Sequence, residues 1–219
     1  MHATGRAVVF DLDGTLVDSA PGIERCLREA LTAVAPDRLS DFPAGIIGPP
    51  VREMVGGLLP DADVAAIEAG VAAFRRCYDG AGWRETVPHV GATETLTALR
   101  SSGHRLFVVT NKPQLPTERI IADLGWDPLF ESVVCKDSLP VAFADKPEAL
   151  GHLVGAAGLD ARTAVFVGDS ADDARAADVH GMAFVYAAYG YGDDALAREA
   201  WASINAIADL CALLDGAEL

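Results

Sequence analysis

Short apolar, β-branched runs, each stopping at polar or glycine-rich residues, recur along the chain. They are Ala7–Phe10, Arg105–Val109, Ser132–Cys135, Ala164–Val167 and Ala183–Tyr186. Runs of this length and composition predict strands buried on both faces. Between most of them the pattern shifts to helical spacing, over Ala92–Ser101, Leu115–Leu124, Pro147–Ala157 and Ala171–His180. Strands alternating with helices of about ten residues predict βαβ units, and hence a parallel sheet covered on both sides. Ligands of such sheets bind outside the carboxyl ends of the strands, near the point where strand order reverses.

One interval breaks the alternation. From roughly Ser19 to Glu85 there is no strand run, only helical patterns over Gly22–Ala35, Pro50–Leu59 and Asp61–Asp79. Within the third, Val64, Ile67, Val71 and Phe74 recur at helical spacing, which predicts a packing face. Gly80-Ala81-Gly82 and Pro88 then punctuate the return to the alternating pattern. The expected organisation is an α/β core from residues 1–16 and 86–219, with residues 17–85 inserted as a helical domain.

Composition narrows the class. The 219 residues are 51% apolar and 22% charged, which suits a globular chain with a substantial core. No apolar run approaches the ~20 residues of a bilayer span, so no membrane partner is expected. Residues Met1 to Arg6 lead into the first strand without the basic, apolar and small-residue zones of a signal peptide, which predicts a cytoplasmic protein. A net charge of −15 argues against nucleic acid and would repel an anionic substrate at long range. Local cations must offset that field if the substrate is a phosphate ester. Cys26, Cys77, Cys135 and Cys211 lie far apart with no zinc-like spacing, and are expected as small buried residues without structural disulfides. A monomer or a homodimer is expected.

The chemistry concentrates where strands end. Val8-Val9-Phe10-Asp11-Leu12-Asp13-Gly14-Thr15 delivers two carboxylates, one residue apart, at the end of the first strand. Residues two apart in an extended chain point the same way, so Asp11 and Asp13 can face one cavity, and Gly14 allows the sharp turn that follows. Oxygen atoms packed this closely suit a hard cation such as Mg2+. The second strand run ends in Thr110-Asn111, a hydroxyl and an amide that could hold a phosphoryl oxygen. Lys146-Pro147 opens a helix, with proline suited to its first turn. The fourth run ends in Gly168-Asp169-Ser170-Ala171-Asp172-Asp173, a second acidic cluster. So many carboxylates at one sheet edge require cations between them, which predicts a metal.

In these motifs, taken in order, the chain resembles the haloacid dehalogenase superfamily. They are Asp11-Leu12-Asp13-Gly14-Thr15, Thr110-Asn111, Lys146-Pro147, and Gly168-Asp169 with Asp173. Within that superfamily it is most similar to phosphoglycolate-phosphatase-like enzymes carrying a helical cap after strand one. Ile47-Gly48-Pro49-Pro50 and Tyr189-Gly190-Tyr191-Gly192 are further local matches. The resemblance implies a Rossmann-like core with an inserted helical cap, and a Mg2+-dependent phosphatase acting on a small phosphate monoester. It implies Asp11 as nucleophile and Asp13 as general acid and base. Mg2+ would be held by the Asp11 carboxylate, the Asp13 main-chain carbonyl and Asp169, with Asp173 bracing that shell. Thr110, the Asn111 amide and Lys146 would hold the transferring phosphoryl oxygens. The third motif departs from the usual Lys-Pro-x-Pro, reading Lys146-Pro147-Glu148-Ala149, and makes Lys136 a rival for the lysine role.

Related chemistries can be weighed on single residues. A dehalogenase of this fold lacks the second aspartate, whereas Asp13 is present. A phosphonoacetaldehyde hydrolase needs a cap lysine, and residues 16–90 contain none. A sugar phosphomutase would share all the core motifs and stands as the alternative enzyme, beside a phosphatase for a nucleotide or sugar phosphate. A receiver domain shares the Asp, Thr and Lys pattern but is much shorter. Lys112 reads equally as a solvated lysine or a substrate contact, Asp172 as a surface carboxylate, and Arg52, Arg75 and Arg76 as solvated helix residues.

Overall fold

The computed structural model describes residues 5–43 and 46–216. The first four residues, on which most of the reading of Met1 to Arg6 falls, lie outside the described residues. The chain forms two compact units, one running to Asp18 and resuming at Pro88, the other Ser19–Val87.

The first unit begins with β1 (Ala7–Phe10) and a two-residue strand β2 (Val17–Asp18). The second unit is helical, with α1 (Ala20–Val34), α2 (Val51–Leu58) and α3 (Val64–Gly80). The chain returns through β3 (Val87–Pro88) to α4 (Ala92–Ser101), β4 (Arg105–Thr110), α5 (Gln114–Asp123) and β5 (Ser132–Cys135). It continues through α6 (Lys146–Ala157), β6 (Val165–Gly168), α7 (Ala171–His180), β7 (Ala183–Ala187), β8 (Ala202–Ile204) and α8 (Asp209–Gly216).

Six strands form one parallel sheet in the order β5-β4-β1-β6-β7-β8. Strand β1 is therefore central, with Phe10 level with Val108 of β4 on one side and Val167 of β6 on the other. Side chains alternate across the sheet. Val9, Phe107, Phe166 and Phe184 share a core with Leu150 and Leu153 of α6 and Ala176 and Ala177 of α7. Their neighbours Val8, Phe10, Leu106, Val108, Val165 and Val167 are fully buried as well. Burial of both faces explains why each strand reads as an unbroken apolar run rather than an alternating one.

In the helical unit, α1 packs along α3, which buries Gly70, Val71, Ala73, Phe74, Cys77 and Tyr78. The packing face expected from spacing is met at Val71 and Phe74. Val64 instead sits exposed in the first turn, after Asp63 has capped the helix by accepting a hydrogen bond from the Ala66 amide at 2.8 Å. The expectation of no disulfide is corrected here. Cys26 of α1 and Cys77 of α3 are disulfide-bonded, their Cα atoms 5.5 Å apart, while Cys135 and Cys211 are free. A separation of 51 residues hid a pairing that only helix packing creates.

Closing a loop of that length removes chain entropy worth ~4 kcal/mol from the unfolded state. Thiol titration of the unfolded, unreduced protein is expected to find two reactive thiols, rising to four after reduction. Reduction is expected to lower the unfolding temperature of the helical unit. Four thiols before reduction would remove the cross-link from the account.

Candidate active site

The carboxyl ends of β1, β4 and β6 lie side by side at the middle of the sheet, and each releases a loop carrying polar groups. Asp11 follows β1 directly and continues its ladder, donating its main-chain N–H to the Val167 carbonyl at 2.9 Å. Leu12 then turns the chain, its carbonyl accepting from Leu16 and Val17. Gly14 takes φ +85°, and a Cβ there would lie 2.3 Å from the Asp169 carboxylate, so both conformation and space call for glycine.

Lys146 is the first residue of α6, placed by Asp145, whose side chain caps the helix on the Glu148 amide. Its ammonium is buried and lies 3.0 Å from Asp11 Oδ1 while also donating to Asp173 Oδ1. Lys146, rather than Lys136, is thus the lysine that meets Asp11. Asp169 directly follows β6 and accepts from the Tyr191 amide at 2.7 Å and the Thr15 hydroxyl at 3.2 Å. Ser170 and Asp173 form a capping box at the start of α7. The second oxygen of Asp173 accepts from the main-chain amides of Asp169 and Ser170 and from the Ser170 hydroxyl.

One oxygen from each of Asp11, Asp169 and Asp173 falls within 4.8 Å of the others, a hard-oxygen set suited to a divalent cation. Within that set Asp173 already has both oxygens engaged, one by Lys146 and one by three donors. Each oxygen of Asp169 accepts one hydrogen bond and Asp11 Oδ1 meets Lys146, so these two carboxylates are less saturated than Asp173 and could hold an ion. Electrostatics agree. Burial drives Asp11 well above the usual carboxylate range, partly countered by Lys146 and reinforced by Asp173, Asp169 and Asp13. Burial and Asp173 push Asp169 up to about 6, against the Tyr191 amide, Lys146 and Thr15. Burial alone would lower Lys146, but Asp11 and Asp173 reverse that, and it is held firmly as the ammonium.

Thr110 ends β4, buried, and its hydroxyl accepts from the Lys112 amide at 3.1 Å. Two neighbours read differently from the sequence expectation. Lys112 is buried, and its ammonium donates to both oxygens of Asp13, at 2.8 and 3.0 Å. Asp172 is half-buried and accepts from the Asn111 amide group at 2.7 Å and from Arg175 at 2.8 Å. Arg175 reaches on to Asp145 at 3.0 Å, tying the loop after β4 to the starts of α6 and α7. Neither pairing carries a local sequence signal, because the partners lie 99 and 61 residues apart. The segment Tyr189-Gly190-Tyr191-Gly192 also belongs to this edge. Tyr189 donates to the Thr15 carbonyl and Tyr191 to Asp18, while a Cβ on Gly192 would lie 1.7 Å from the Asp169 carbonyl. In the helical unit, Arg52 pairs with Glu68, and Arg75 and Arg76 are exposed.

Residues 6–181 match the family model of haloacid dehalogenase-like hydrolases. The chain belongs to that family. It is 36% identical to the plasmid-borne phosphoglycolate phosphatase of Cupriavidus necator, over 97% of this chain and 94% of the relative. It is 35% identical to the tyrosine-protein kinase PtkA of Mycobacterium tuberculosis, over 84% of this chain and 62% of that protein. Among solved structures, a predicted phosphoglycolate phosphatase from Haemophilus somnus superposes with a TM-score of 0.83 at 28% identity, covering 97% of this chain and 99% of that one. The chain is a hydrolase of the haloacid dehalogenase-like family, similar to phosphoglycolate phosphatases. Among the described residues no helix is long and apolar enough to cross a membrane.

The raised carboxylates set a pH window. A carboxyl whose folded pKa exceeds its unfolded value stabilises the metal-free fold at low pH, and for Asp169 that contribution is lost as pH rises from about 4 through about 6. A divalent cation held there would take the place of the proton, so its stabilisation would grow over the same window. The melting-temperature gain from millimolar Mg2+ over EDTA is expected to be near zero at pH ~4.5 and several degrees at pH ~7. Asp169→Asn is expected to abolish this pH-dependent gain. A gain independent of pH would contradict the assignment.

Proposed function

We propose that the chain is a magnesium-dependent phosphatase that hydrolyses a small phosphate monoester through an aspartyl-phosphate on Asp11. The observation carrying this reading is the placement of Asp11. Its carboxylate sits at a strand end, 3.0 Å from the buried ammonium of Lys146 and beside Asp169. Burial alone would keep Asp11 protonated and poorly nucleophilic. Lys146 opposes that effect. Asp11 and Asp169 would hold Mg2+ by their carboxylates and Asp13 by its main-chain carbonyl; when bound, the ion neutralises charge on Asp11 and on the phosphoryl oxygens.

In this mechanism a carboxylate oxygen of Asp11 attacks phosphorus and the bond from phosphorus to the ester oxygen breaks. Asp13 gives its proton to that departing oxygen, releasing the alcohol. Asp13, now a carboxylate, takes a proton from water as the water oxygen attacks phosphorus. The Asp11–phosphorus bond breaks, inorganic phosphate leaves, and both aspartates return to their starting states. Thr110, the Asn111 main-chain amide and Lys146 hold the equatorial oxygens, so catalysis is positioning and charge neutralisation. Asp173 fixes Lys146 and the Asp169 main chain rather than touching substrate. Similarity to the phosphoglycolate phosphatases favours a small phosphorylated acid as substrate.

Purified protein with Mg2+ is expected to release inorganic phosphate from phosphoglycolate and, more slowly, from a generic aryl phosphate, and to release none in EDTA. Asp11→Asn is expected to abolish turnover. Asp13→Asn is expected to slow it by about 10²–10⁴-fold, more for poor leaving groups. Isomerised sugar phosphate with little free phosphate would identify a mutase instead, and full turnover by Asp11→Asn would exclude the covalent route.

A further inference from the structure

Asp13 must serve two partners in turn, the leaving oxygen and the attacking water, and both uses depend on where its carboxylate points. Its surroundings work against a fixed position. Three like charges, Asp11, Asp169 and Asp173, lie at the same edge, and Asp13 adds to the charge that raises Asp11. Its side chain is 23% exposed, against 8% for Asp11, so packing restrains it less. Repulsion and freedom together would let Asp13 swing away from the phosphoryl group.

We propose that Lys112 is the positioning residue for Asp13, an inference that rests on the phosphatase reading above. Its ammonium, 5% exposed, spans both carboxylate oxygens at 2.8 and 3.0 Å, and so fixes the plane of the group as well as its location. Lys112 is itself held. Its N–H donates to Thr110 Oγ1, its carbonyl accepts from the Lys136 amide at 3.4 Å, and Asp172 anchors the preceding Asn111. Pro113 disfavours helical backbone at Lys112, which delays α5 until Gln114 and keeps the lysine in the loop. The hydroxyl that touches the phosphoryl group in this mechanism and the lysine that aims the acid therefore share one short, rigid segment. Misplacement of a catalytic group by about 1 Å can cost on the order of 10²-fold in rate.

The test compares wild type, Lys112→Met, Lys112→Arg, Asp13→Asn and the Lys112→Met/Asp13→Asn double variant. Each is assayed with Mg2+ on p-nitrophenyl phosphate, whose leaving group needs little protonation, and on an alkyl phosphate, whose leaving group needs it. Lys112→Met is expected to lower kcat on the alkyl ester by about 10–100-fold and on the aryl ester by less than about threefold, with KM little changed on both. Lys112→Arg is expected to recover part of the loss. In the Asp13→Asn background Lys112→Met is expected to add nothing, since both act through one group. Equal losses on both esters, a raised KM with unchanged kcat, or full additivity with Asp13→Asn would overturn the proposal. Should Lys112→Met melt much lower than wild type, Lys112→Gln takes its place with the same expectations, and failure of both to fold would assign Lys112 to stability alone. Absence of wild-type turnover on every ester would remove the phosphatase reading together with this inference, whereas wild-type turnover without the leaving-group contrast would remove the inference only.

Discussion

Four carboxylates gathered at one sheet edge, three of them buried, are the constraint to which the rest of this protein answers. Asp11, Asp13, Asp169 and Asp173 face the ammonium groups of Lys112 and Lys146, so full ionisation would leave an excess of two negative charges in a poorly solvated space. Like charges held this close cannot all ionise without a compensating cation. Each supporting feature lowers that cost. Asp173 is saturated by donors, Asp169 receives a main-chain amide and a hydroxyl, and Lys146 divides its charge between two acids. The charge that full ionisation would leave falls mainly on the least compensated groups, an oxygen set that could take one divalent ion.

The sheet makes the gathering possible. Because β1 lies between β4 and β6, three loops from distant parts of the sequence emerge at adjacent positions, roughly one strand spacing apart. Helix starts then do the fine placement. Lys146 is positioned by the Asp145 cap of α6, and Asp173 by the Ser170 capping box of α7. Capping is usually discussed as a contribution to helix stability. Here the capping box also sets the oxygen that Lys146 meets, so a local folding motif and the charge balance of the site are one arrangement.

Much of this was legible in the chain itself. All five apolar runs became strands of the sheet, four of them interior and Ser132–Cys135 its edge strand β5, because residues buried on both faces must be apolar throughout, and that signal survives without tertiary knowledge. Strand β8 and helix α8 escaped because three residues, Ala202–Ile204, and an eight-residue helix carry too little periodicity to be read. Helix boundaries moved where a cap decided them, as at Asp63. The acidic motifs and Lys146 could be placed at strand ends by pattern. Lys112 and Asp172 could not, because their meaning lies in partners brought near by folding: the same lysine is a solvated side chain or a buried counter-ion depending on where Asp13 ends up. The Cys26–Cys77 bond failed to be read for the same reason.

The central position of β1 also orders the events of biosynthesis. This strand is made well before its neighbours on either side, β4 and β6, which begin only at Arg105 and Val165. Until then its amides and carbonyls have no ladder to join. The segment Ser19–Val87, by contrast, holds its own contacts and both cysteines of its cross-link, and is complete before β4 has been translated. Long-range strand pairing of this kind is slow and leaves apolar edges uncovered while it waits. The helical insertion thus separates this strand from its partners by a stretch with contacts of its own, and Asp11 at the end of the strand meets Lys146, Asp169 and Asp173 only once those later segments have been made.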